Sequence, residues 1–213
     1  MRCLLIIAVL FSSSSAFAQK KEEINFSDAL QIDSSEYFLI PRLVDESNKD
    51  QYSKGKGYTL WGNYSDIYFY NTKTNQTKKL FEGKLALIAP FMIKRYSYYT
   101  TEREPDLTNN ILPKHILFLV RTDDFNGGKA LDSDDPSYLY ISTKTGDNLR
   151  QITPGGFHVI SWTISKDKKT ILVKGKNDKN KNKKFGNGDD ELYYRVDLDD
   201  DISKIQHHPI NLQ

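Results

Sequence analysis

The chain has 213 residues, with 30 lysines and arginines against 28 aspartates and glutamates. That near-balance excludes the strong basic excess favoured by nucleic acid or an anionic membrane surface as the main partner. The one cysteine, Cys3, lies in an apolar leader, so the rest of the chain carries neither disulfide nor thiol chemistry.

Residues 1–18 read as an export signal. Arg2 supplies the positive start, 4–11 the apolar run, and Ala16-Phe17-Ala18 a small-x-small cleavage site before Gln19. The run is too short to cross a bilayer. The expectation is a protein exported to the periplasm or the cell exterior, with no membrane span and one all-β domain over 19–213. The segment 26–31, with Ser27 as a cap, is the best helix candidate and would make about one turn. Strands are predicted at 36–41, 65–70, 115–120, 159–164 and 170–174, short stretches bounded by turn residues. No sizeable helix is expected. Arg95-Tyr96-Ser97-Tyr98-Tyr99 places Tyr96 and Tyr98 on one face, suited to stacking on a sugar or a partner, or to filling space between sheets.

Similar pieces recur along the chain. Residues 66–81 and 138–152 each read as a strand, a Thr-Lys-Thr-Asn or Thr-Lys-Thr-Gly turn, and a second strand. Asn75 and Gly146 fall where such a hairpin needs a positive φ. A weaker third copy covers 191–205, preceded by a hairpin around 166–169, which together make a four-stranded meander.

Trp162, Ser165, Asp167 and the Ile171-Leu172-Val173 triplet are similar to the W-S-x-D-x-x-x-I signature of TolB-type, WD40-like propeller blades. The stretch 139–153 resembles the strand pair that ends such a blade. The resemblance is good over 135–198, partial over 36–134 and absent from the leader. It implies about three blade-like antiparallel meanders, and a buried Trp162. A closed propeller takes roughly four to eight blades, so the array is open, completed by another copy, or packed as a sandwich. Lysines flanking several strands discourage open-ended edge pairing. A monomer is expected, with a small closed oligomer as the alternative.

Two loops repeat at a fixed offset. Asp124 and Asp178, Leu131 and Phe185, Asp135 and Asp189 are each 54 residues apart. Both loops resemble twelve-residue EF-hand or dockerin-type calcium loops, which place oxygen ligands at positions 1, 3, 5, 9 and 12 and an apolar anchor at 8. The first offers Asp124, Asn126, Asp132 and Asp135, with Leu131 as anchor. The second offers Asp178, Asn180, Asn182 and Asp189, with Phe185 as anchor. Lys129 and Lys183 stand where such loops carry the turn glycine, and Lys179, Lys181 and Lys184 add charge that repels a cation. Calcium is thus the one candidate cofactor, against plain solvated insertions.

No G-x-S-x-G, H-E-x-x-H or phosphate-loop pattern occurs, and Gly55-Lys56-Gly57 lacks the rest of a dinucleotide site. His115 and His158 open apolar strands, and His207 and His208 are adjacent near the C-terminus. No catalytic residue is assigned. The expected function is a non-catalytic binding or scaffold module for a protein or glycan partner. The alternatives are a calcium-binding structural protein and a hydrolase whose site is assembled between blades.

Overall fold

The five strands read at 36–41, 65–70, 115–120, 159–164 and 170–174 are strands in the structure, a computed structural model that describes residues 23–33, 35–54, 63–90 and 110–212. Residues 1–18, expected to be an export signal, residues 55–57 and the 95–99 run lie outside the described residues. The described strands form three successive four-stranded antiparallel meanders. The first is β1 (Leu30–Gln31), β2 (Tyr37–Leu43), β3 (Tyr64–Asn71) and β4 (Gln76–Lys79). The second is β5 (Leu87–Ile88), β6 (His115–Arg121), β7 (Tyr138–Thr143) and β8 (Arg150–Gln151). The third is β9 (Phe157–Ile164), β10 (Thr170–Asn177), β11 (Glu191–Asp197) and β12 (Gln206–Ile210). One pairing, Tyr64 with Ile88, joins β3 to β5 and fuses the first two meanders into a single sheet. Among the described residues neither sheet closes on itself.

The middle meander holds the stack together. Side chains alternate along a strand, and in β6 both sets are apolar. Ile116, Phe118 and Val120 join Leu39, Ile67 and Phe69 of the first meander in one core. Leu117, with Leu139 and Ile141 of β7, joins Val159, Ile171, Val173 and Val196 of the third in another. A strand buried on both faces reads as a continuous apolar run, which is why 116–120 shows no alternation.

The third meander ends the stack with a polar face. Lys174 pairs with Glu191 and Arg195 with Asp197 on the side away from the core, while Leu172 lies 41% exposed among them. Polar outer faces of this kind terminate repeat stacks in water.

The hairpins behave as their turn residues require. Asn75 has φ 54 and Gly146 φ 76. Gly146 serves a second need, because a Cβ there would come within 2.6 Å of the Phe69 ring in the first meander.

Two expectations are corrected. Residues 26–31 form no helix, since Phe26 bridges Arg42 and β1 pairs with β2, with Ser27 N–H donating to Pro41 O at 2.9 Å. Six residues offer too few hydrogen bonds to nucleate a helix against an available strand edge. Among the described residues the helical segment is the 3-10 turn Ile202–Lys204, capped by Asp201. Trp162 is half-buried rather than buried, because β9 is an edge strand and gives it a single cross-strand neighbour, Val173. Phe118→Ala should therefore cost about 3–5 kcal/mol in urea unfolding, and Trp162→Ala distinctly less. Equal losses would place Trp162 in the core after all.

Candidate functional site: two repeated acidic loops

The two loops connect equivalent strands: 122–137 joins β6 to β7, and 178–190 joins β10 to β11. Their hydrogen bonds repeat position by position at the same 54-residue offset. Asp124 accepts from the amides of Gly128 and Lys129, both at 2.8 Å. Asp178 accepts from Asn182 at 3.0 Å and Lys183 at 2.8 Å. Asn126 Oδ1 accepts from Gly128 at 2.6 Å, and Asn180 Oδ1 from Asn182 at 3.0 Å.

The closing carboxylates also match. Asp135 accepts from Phe125 and Asp132, both at 2.9 Å. Asp189 accepts from Lys179 at 3.1 Å and Gly186 at 2.9 Å. Left-handed residues shape both loops, Gly127 and Lys129 in the first, Lys181 and Lys183 in the second. Such kinks turn successive amides toward one oxygen.

All eight ligand-type residues are thus brought together within their own loops, and every one accepts an N–H from the loop itself. Asp132 accepts from Asp134 at 2.8 Å and from the Asn126 side chain at 3.2 Å, and Asn182 from Lys184 at 2.9 Å. Among the described residues no three histidine, cysteine, aspartate or glutamate side chains converge as a metal-holding group.

The two closing aspartates differ in their electrostatics. Asp135 is fully buried, and burial pushes its carboxyl above the usual range despite three backbone amides that oppose the shift. The Gly186 amide, chiefly, holds Asp189 below that range, with Lys176 helping.

The apolar anchors reach outside their loops. Leu131, 1% exposed, packs with Tyr52 and Leu87, while its amide donates to Gln51 O and its carbonyl accepts from Ser53, both at 2.9 Å. This fixes the first loop to the β2–β3 connection of the first meander. Phe185 packs at a tilt against Phe125 of the first loop and stacks on His158 of β9, each with ring centroids 5.3 Å apart. The loops carry opposite charge bias: five aspartates and Lys129 in the first, four lysines against three aspartates over 178–190 in the second. The lysines that would repel a cation therefore lie beside an acidic neighbour.

His158, read from the sequence as opening an apolar strand, is the second residue of β9. Its Nδ1 accepts from the Ser137 amide at 3.2 Å, and Ser137 O accepts from Val159 at 2.8 Å, forming a seam between the second and third meanders. Burial and the nearby Arg121 and Lys176 push its pKa down to about 4. His207 and His208 point to opposite faces of β12, the first against the Tyr194 ring and the second toward Asp197. They form no ligand pair. The chain matches no protein-family model, no curated protein and no solved structure.

Removing the Asp135 carboxylate strips part-buried amides of their acceptor, at up to about 1–3 kcal/mol per orphaned group. Asp135→Ala should lower unfolding free energy by about 2 kcal/mol or more, and Asp135→Asn, which keeps one acceptor oxygen, by less. Urea titration of the three proteins checks the order.

Proposed function

We propose that this protein is an exported, non-catalytic binding or scaffold module, in which the repeated loops lock neighbouring blade-like meanders into one rigid unit. The observation that carries this reading is where the loop oxygens go. The carboxylates and amides resembling calcium ligands hold their own loop backbone, and the anchors at Leu131 and Phe185 grip the adjoining meander. Strand order adds support for the blade-like reading, since each meander runs through four consecutive strands. The polar outer face of the third meander favours a monomer.

A second reading, calcium binding, has one observation in its favour. Lys129 and Lys183 adopt the left-handed backbone that calcium loops give to a glycine at position 6. Both loops therefore keep the shape of such a loop without its usual sequence. An ion in the first would be held by Asp124, Asn126, Asp132 and Asp135.

Thermal unfolding separates the two. A ligand that binds only the folded chain raises its stability by mass action. The scaffold reading expects coincident melting curves in millimolar calcium and in chelator. A calcium-dependent rise in wild type that vanishes in Asp124→Asn would establish the calcium reading instead. In the same preparation, turnover of an ester, glycoside or phosphoester substrate by the folded protein would overturn the non-catalytic assignment.

A further inference from the structure

His158 stands between two cations, each of which holds one loop. Arg121 Nε donates to Asp135 O at 3.1 Å and so secures the first loop. Lys176, the residue directly across from His158 in the β9–β10 register, donates from Nζ to Gly186 O at 3.0 Å and secures the second. The imidazole itself stacks on Phe185, next to that carbonyl, and accepts the Ser137 amide. We propose that His158 is an acid-sensitive latch, whose protonation frees the 178–190 loop from the 122–137 loop while the sheets stay folded.

The chemistry follows from which nitrogen is used. An Nδ1 that accepts a hydrogen bond is unprotonated, so the neutral ring carries its proton on Nε2. A second proton must go to Nδ1, where it faces the Ser137 N–H, and the acceptor becomes a donor. The new charge also repels Arg121 and Lys176, the two grips on the loops. Among the described residues the influences on His158 are burial and those two cations, and the Asp135 and Asp189 carboxylates are turned to the amides of their own loops.

The sign is fixed by linkage. A histidine held near pKa 4 when latched, against about 6.5 when exposed, takes up its proton more readily in the open form. The closed arrangement is favoured above pH 6.5 and loses ground as pH falls, by tens of fold at pH 4.5 and approaching about 300-fold only well below pH 4.

Hydrogen exchange on the mature chain tests this, compared at pH 7 and pH 4.5 after correction for intrinsic rates. The latch predicts that amides in 122–137 and 178–190 lose protection by tens of fold at pH 4.5, with β6 and β10 still protected. His158→Gln supplies a carbonyl acceptor that does not titrate, so its loops should stay protected at both pH values. Unchanged loop protection in wild type would overturn the proposal. So would a glutamine variant that opens as wild type does, since that assigns the acid response to a carboxylate such as Asp135. The imidazole's own titration by NMR gives an independent reading: a midpoint near 4 supports the latch, and one near 6.5 excludes it.

Discussion

The fold depends on the burial of both faces of β6 and β7. With no cysteine and no long helix among the described residues, their stability must come from apolar packing, and the middle meander supplies it to two cores at once. Each fully buried Ile, Leu or Phe contributes roughly 1.5–3 kcal/mol. Ile116, Leu117, Phe118 and Val120 fall within five residues of one strand, which therefore carries a large part of that total in a single stretch. Neither outer meander can bury its own inner face, which makes the three parts mutually dependent. The one pairing between β3 and β5 is a corner between packed layers, and the cores on either side of β6 hold those layers in place.

The loops extend that dependence beyond the cores. Leu131 ties the second meander back to the first, and Phe185 ties the third to the second through Phe125 and His158. The ties are chemically unlike. The first is an apolar plug flanked by two main-chain hydrogen bonds. The second is a stack of rings with one titratable member, set among cations. The same loop shape therefore yields a joint of aliphatic and main-chain contacts at one interface and one that includes a histidine at the next.

Much of this was legible in the sequence. Strands flanked by turn residues declare themselves, and the 54-residue offset singled out two loops whose hydrogen bonds can be compared position by position. Asn75 and Gly146 identified their hairpins because few residues tolerate a positive φ. Less was legible where partners are distant. β1 is two residues long and exists because β2 offers an edge, information absent from 26–31 itself. The half-burial of Trp162 follows from the position of β9 at the end of a sheet, which local pattern does not encode. For the loops, ligand types were visible but their use was not. An Asp at either end of such a loop serves an ion or a set of amides equally well, and only the folded geometry shows which groups its oxygens meet. His158 looked like the first residue of an apolar strand, and its significance arises from Phe185, Arg121 and Lys176, between 18 and 37 residues away in the chain.

Lys129 and Lys183 sit at φ 73 and 60, a backbone region that residues with a Cβ enter at a cost of about 1–2 kcal/mol. Each loop is accordingly shaped by what it docks against and by its closing aspartate, and not by local preference. The first loop finds Tyr52 and Leu87 already made when the chain grows from its N-terminus, whereas the second must wait for both its own meander and the first loop's Phe125. Cut out as a peptide, either loop would let its lysine relax and turn its amides back to water.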